Sequence, residues 1–268
     1  MINHIPIKTS VAFAAILGFS SLTGSMSAAS LASNVVAFDS QTIQSSGPRN
    51  GGSQPFFFNI QGSNNGTFAS YGIMDFELTR SDFSTTSMIT SVTDFRLELI
   101  QNDPSFDSSG SFDVYFTSGN STSGSLGDNF GNLIYDSFAG GNPGIVSTDF
   151  PSNPTLIGTD FSFTQNSDLA LTTMDFNSLP AAVSDAIAAA INTGTRFSFI
   201  LAPSGADPDV SATFSGVNNF DYDGTVLDSN GNVLAGPSIT GMTVVLIPEP
   251  SSALLIGLAG GLLFYRRR

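Results

Sequence analysis

The sequence contains no cysteine and no tryptophan, and its only histidine is His4. Without thiols the chain can form neither a disulfide nor a thiolate metal centre, so its stability has to come from a packed core. Removal of the leader described below would take His4 with it and leave no imidazole. Ser-His-Asp and Cys-His nucleophilic systems are then excluded, as are zinc sites of the usual His/Cys type. Basic residues are scarce as well. Between residues 30 and 247 only Arg49, Arg80, Arg96 and Arg196 stand against 21 acidic residues, a net charge of −17. A field of that sign repels phosphate backbones, so no nucleic acid partner is expected. It suits divalent cations, basic partners or plain solvation.

What is present reads as β structure. Clusters of Gly, Ser, Asn, Asp and Thr recur about every ten residues, separated by short runs of Phe, Ile, Val, Leu and Tyr, the rhythm of an all-β sandwich or barrel. With 24 phenylalanines and no tryptophan, Phe is the expected core filler. Strict alternation marks individual strands. In Asp94–Ile100 the residues Phe95, Leu97 and Leu99 share one face, and Asp94, Arg96 and Glu98 share the other. Phe112, Val114 and Phe116 share a face in the next run, whereas Arg196–Leu201 begins alternating and then becomes continuously apolar. Asp228-Ser-Asn-Gly-Asn232 predicts a tight hairpin of type I′, because Asn-Gly accepts positive φ. Residues 40–54, poor in apolar side chains, predict a mobile lead-in. Ala181–Asn192, alanine-rich with Val183, Ile187 and Ile191 four apart, predicts the one short helix. Pro180 opens it and Gly194 closes it, and it is expected to plug one end of the sandwich.

Both ends read as processing segments. Residues 1–29 have a polar lead with His4 and Lys8, an apolar stretch Val11–Phe19 and a small-residue exit at Ser27-Ala28-Ala29. This is the order of a signal peptide cleaved after Ala29. Residues 248–268 begin with Pro248-Glu249-Pro250, stiff because each proline restricts itself and the residue before it. Ala253–Tyr265 is apolar throughout, and Arg266, Arg267 and Arg268 close the tail. As a helix, Ser251–Tyr265 would span about 22 Å, short of a ~30 Å hydrocarbon core, with arginine side chains extending its reach to the headgroups. The arginines would hold the tail on the cytoplasmic side and leave the acidic body outside. So short and glycine-broken a segment suits a temporary stop better than a permanent anchor.

These residues resemble a PEP-CTERM sorting domain, the tag of exosortase substrates, in the family's own order. The resemblance implies transient inner-membrane insertion and processing by an exosortase near Pro248-Glu249-Pro250. It also implies delivery to the cell surface or extracellular matrix, in association with exopolysaccharide or biofilm. The body, residues 30–247, is similar to DNRLRE-type modules along Tyr71–Leu78, Ile89–Leu99 and Phe112–Phe116. That implies a single jelly-roll-like β-sandwich akin to carbohydrate-binding modules. Tyr71, Tyr115, Tyr135 and Tyr222 could stack on sugar in place of tryptophan, yet core or rim packing is the simpler account of each. Asp207, Asp209, Asp221, Asp223, Asp228 and Asn230 offer loop oxygens that calcium could use, but their spacing is not that of an EF-hand. No catalytic residue or other cofactor is selected. Glu77 and Glu98 could serve carboxylate catalysis, yet both read as outward surface charge. Three readings stay open: a structural or adhesive matrix protein, a carboxylate-dependent glycan-active enzyme, and a calcium-stabilised surface-layer component.

Overall fold

The computed structural model describes residues 26–49, 56–102, 104–118, 135–136, 144–145, 154–217, 219 and 225–247. In chain order the strands are β1 (Ser27–Ser30), β2 (Val35–Val36), β3 (Asp39–Gln44), β4 (Gly47–Pro48), β5 (Phe57–Gln61), β6 (Ser70–Glu77), β7 (Ile89–Ile100) and β8 (Gly110–Ser118). They continue with β9 (Tyr135–Asp136), β10 (Gly144–Ile145), β11 (Thr155–Phe163), β12 (Leu171–Phe176), β13 (Arg196–Pro203), β14 (Ser211–Ser215) and β15 (Ser238–Leu246). The helix α1 (Ala181–Thr193) lies between β12 and β13. Every pairing is antiparallel, as the short turn-rich connections favour.

Sheet one runs β1-β15-β7-β12, with β2 also on β15. Sheet two runs β11-β8-β13-β6-β3-β4 and is extended by β5, which pairs with β6 and β14. The alternating residues read from the sequence face inward: Phe95, Leu97 and Leu99 from β7 meet Phe112, Val114 and Phe116 from β8 in one core. Rings cross the interface directly, with Phe95 5.0 Å from Phe199 of β13 and stacked on Phe176 of β12 at 4.6 Å. The described residues therefore adopt an all-β sandwich with one short α-helix.

Sheet two is buried on its outward face too. Ile43, Tyr71, Ile73, Ile200 and Ala202 form a second apolar cluster there, with Tyr115 packed against it. Cross-strand register explains it: Tyr115, Ile200, Ile73 and Gln41 fall in one row across β8, β13, β6 and β3. The continuous apolar run at the end of β13 records that double burial. A strand covered on both faces has no wet side to show.

Three expectations need correction. Of residues 40–54, 40–44 are not a mobile lead-in but part of the strand β3, in which Asp39, Ser40, Gln41, Thr42 and Ile43 are all buried, and 50–54 lie outside the described residues. Its polar side chains bond to backbone, as when Thr42 Oγ1 accepts the Asn59 amide at 2.7 Å, so burial left no hydrophobic pattern to read. The 228–232 turn is tight, with the Asp228 amide donating to the Asn232 carbonyl at 2.7 Å, but it is not type I′. Only Gly231 has positive φ, the arrangement of a three-residue loop. Glu98 is not surface charge: it is wholly buried under that loop, where its carboxylate accepts the Ser229 amide at 3.1 Å.

The helix has the bounds and apolar stripe expected, with Val183, Ile187 and Ile191 buried and Gly194 left-handed at its end. Its place is more specific than a plug. Among the described residues, β7 has no strand partner ahead of Phe95 on the side where β12 pairs. Ser184 and Asn192 of α1 supply the missing bonds. Ser184 Oγ accepts from the Val92 amide at 2.9 Å and donates to the Val92 carbonyl at 2.8 Å. The Asn192 amide does the same for Ile89, at 3.0 and 2.7 Å. Ser184→Ala removes the partner of both the amide and the carbonyl of buried Val92 and should lower the unfolding free energy by about 2 kcal/mol in a denaturant titration. A loss no larger than that of Ala182→Gly, on the exposed side of the helix, would contradict this role.

β1 begins at Ser27, which faces Leu246 of β15. A cut after Ala29 would therefore leave β15 only Ser30 of this strand.

Candidate functional site

The clearest concavity lies outside the sandwich core, over the β5–β14 pair. Along β5 the side chains alternate: Phe58 and Ile60 enter the core, while Phe57, Asn59 and Gln61 face outward. Opposite them on β14 stand Ser215, Thr213 and Ser211. The outward rows are bonded across the strands, Asn59 Nδ2 to Thr213 Oγ1 at 2.9 Å and Gln61 Nε2 to Ser211 Oγ at 3.2 Å. Arg49 donates to Asn59 Oδ1, and its guanidinium lies 5.2 Å from the centre of the Phe57 ring.

Two short 3₁₀ turns raise aromatic walls around this floor. Phe68 ends the turn Ser63–Phe68 and Phe106 ends the turn Pro104–Phe106. They are 61% and 69% exposed, more than the other exposed phenylalanines among the described residues, Phe38 and Phe56. The Phe106 turn is pinned to β14: Ser211 Oγ donates to the Phe106 carbonyl at 2.8 Å, and Asp107 Oδ1 accepts the Thr213 amide at 2.8 Å. Asn102, whose amide donates to the Thr213 carbonyl at 2.9 Å, closes the far side. The enclosed cavity is about 320 Å³. That is at the small end of the range for ligand pockets, roughly 300–1,000 Å³. Its described lining combines flat apolar rings, primary amides and one guanidinium, and holds no carboxylate. An amide carries two N–H donors and two lone pairs, more than the bonds above use. Such a surface can hold the apolar face of a ring while bonding to polar groups at its edge.

The residues singled out from the sequence do not meet here. Tyr71 is fully buried in the second cluster and Tyr115 packs beside it. Burial first, and then the charge of Asp113, raise the Tyr115 hydroxyl above its ordinary pKa. The Tyr135 side chain and Tyr222 lie outside the described residues. Glu77, at the end of β6 in sheet two, pairs with Arg196 at 2.9 Å. Glu98 belongs to sheet one, so the two carboxylates do not share a site.

The loop carboxylates that can be placed bond to protein groups, two of them across to another segment and Asp228 within its own turn. Asp207 accepts the Ser111 hydroxyl, and Asp209 accepts Asn64 Nδ2 at 2.8 Å. Asp228 accepts the amides of Asn230 and Asn232 at 2.9 and 2.7 Å. Asp221 and Asp223 lie outside the described residues, as do Pro248, Glu249, Pro250, Arg266, Arg267 and Arg268. Among the described residues no group of three or more His, Cys, Asp or Glu side chains could hold a metal ion. In another such contact, the Asp160 amide donates to Asp113 at 3.1 Å. There burial raises the Asp113 carboxyl, the Asp160 amide opposes the shift, and the Asp160 charge adds to it. Also among the described residues, no helix is long and apolar enough to cross a membrane.

Sequence reasoning passed over the pocket because its parts come from five separate stretches. One signal was available: in Phe56-Phe-Phe-Asn-Ile-Gln61 alternation turns Phe57 to the same side as two amides. No family model matches the chain, and no curated protein is significantly similar to it.

Proposed function

We propose that this chain is an exported, non-catalytic surface protein whose sandwich binds a saccharide of the extracellular matrix in the pocket over β5 and β14. The observation that carries the reading is the pair of exposed rings, Phe68 and Phe106, standing over a floor of amides and Arg49. A sugar ring presents C–H groups on its faces and hydroxyls at its rim, which matches that division of surfaces. A jelly-roll-like ancestry belongs to the same proposal, as do the signal peptide, the exosortase-processed tail and delivery to the cell surface. The tail supports export through its apolar run and terminal arginines, and the body's net charge of −17 suits the aqueous side of an arginine-anchored membrane segment.

The test is binding of the purified body to a glycan array and to the producing cell's own exopolysaccharide, followed by calorimetry on the best ligand. Phe106→Ala, exposed and outside the core, should weaken binding about tenfold, or ~1.4 kcal/mol, with an unchanged melting temperature. Release of reducing ends without retained binding would support the enzyme instead. Binding unaffected by both Phe106→Ala and Phe68→Ala would place the ligand elsewhere.

A further inference from the structure

The sandwich has two unlike poles, and β7 measures the distance between them. At its start, Met88 accepts the backbone amide of Ile247 on its carbonyl at 2.9 Å, and Ile89 faces Leu246. Ser27 faces Leu246 from the other side, so Met26 and Ile247 leave the fold together. At the far end of β7, Gln101 bridges to Phe214, and Asn102 and Phe106 line the pocket. Twelve residues of strand separate the poles, about 36–40 Å at ~3.3 Å per residue. The pole where both chain ends emerge also exposes apolar side chains: Met26 is 70% exposed, and Met88 and Ile247 are each 51% exposed. Arg80, one of the body's four basic residues, is beside Met88, with Nη1 3.9 Å from its sulfur.

We infer that this pole is a lipid-facing base: while the terminal apolar segments hold the chain, Met88, Ile247 and, before leader removal, Met26 rest on the bilayer interface, and the pocket points away from it. The argument rests on the membrane reading of the two terminal segments given above. It adds an orientation, because the apolar stretches at residues 11–19 and 253–265 both join the fold at this one pole. The tail begins directly after Ile247 with Pro248-Glu249-Pro250, a tripeptide too short and stiff to let the body turn over. Thioether and aliphatic side chains seat at a headgroup boundary, and Arg80 among them can meet a lipid phosphate.

The absence of cysteine makes the test clean, since one introduced thiol gives one labelled position. The full chain carrying Met88→Cys, or separately Phe106→Cys, is labelled with an environment-sensitive fluorophore. It is then reconstituted into vesicles of phosphatidylethanolamine and phosphatidylglycerol doped with a nitroxide-headgroup lipid. The label at position 88 should be quenched several-fold more than the label at 106. Ile247→Cys provides a second base position in case the first variant misfolds, with the same expectation. Equal quenching at both poles, or stronger quenching at 106, overturns the orientation while leaving the anchor reading intact. Shielding at 88 that follows protein concentration and not nitroxide content marks an interface between copies and also overturns it. A full chain that does not associate with the vesicles refutes the anchor reading itself, and the orientation with it.

Discussion

Phe199→Ala should be the most damaging single truncation in the body, lowering the unfolding free energy by about 3–5 kcal/mol. The side chain is fully buried, and its ring has neighbours from both sheets. Phe95 and Phe176 approach from sheet one at 5.0 and 6.4 Å. Phe76, Phe116 and Phe197 approach from sheet two at 5.8, 6.1 and 5.7 Å. Truncation removes the transfer free energy of a benzyl group and leaves a void walled by stiff rings from four other strands and its own. Those rings cannot collapse into the space without moving a sheet. For a domain of this size the melting temperature should fall by roughly 10 °C. Calorimetry of Phe199→Ala beside Phe163→Ala, at the edge of the same core, measures it. A drop no greater at 199 than at 163 would show that the centre relaxes more easily than its packing implies.

Gly62→Ala should cost about 2–4 kcal/mol, for a different reason: overpacking against backbone. A Cβ at Gly62 would lie 2.1 Å from the Pro208 carbonyl oxygen and 2.4 Å from its carbon. No rotamer relieves that contact, since both atoms belong to the main chain. The two segments are also laced together. The Gly62 amide donates to Val210 at 2.8 Å, the Asn64 amide to Pro208 at 3.0 Å, and Asn64 Nδ2 to Asp209 at 2.8 Å. One added methyl must push the 206–210 loop outward and loosen these bonds. Because Gln61 and the turn bearing Phe68 flank Gly62, the same methyl should also weaken saccharide binding. A denaturation midpoint within error of the parent, together with unaltered binding, would sink this expectation.

The strands and helix that the sequence disclosed are those whose burial follows a simple period. Val183, Ile187 and Ile191 lie on one helical face, and Phe95, Leu97 and Leu99 on one strand face, because each element meets the core on a single side. The period fails where a polar residue is buried with partners. β3 hides Asp39, Ser40, Gln41 and Thr42, and Glu98 disappears under a loop that donates an amide to it. Nothing local distinguishes such a carboxylate from a solvated one, since the covering loop lies more than a hundred residues away. The pocket was hidden for a similar reason. Phe57 and its amides are legible as an outward stripe, but Asn102, Phe106 and Arg49 join it only through tertiary bonds to β14 and Asn59, and the turn bearing Phe68 is held by bonds to Pro208 and Asp209. Ser184 and Asn192 looked unremarkable on the helix because their partners, Val92 and Ile89, belong to an element far earlier in the chain.

The position of β15 also governs the timing of assembly. It is the last described strand, yet it lies in the interior of sheet one, flanked by β7 on one edge and by β1 and β2 on the other. Ser30 and Thr243, whose hydroxyls meet at 3.4 Å, are 213 residues apart in sequence. Until the ribosome has released residues 238–246, β7 and the amino-terminal strands have nothing to join them, so sheet one cannot close on a growing chain. Contacts of such long range also make folding slow once it begins. Sheet two and the β7–β12 pair need no residue of β15, but a ribosome stalled before Ser238 would yield a chain whose sheet one lacks the strand that joins β7 to β1 and β2.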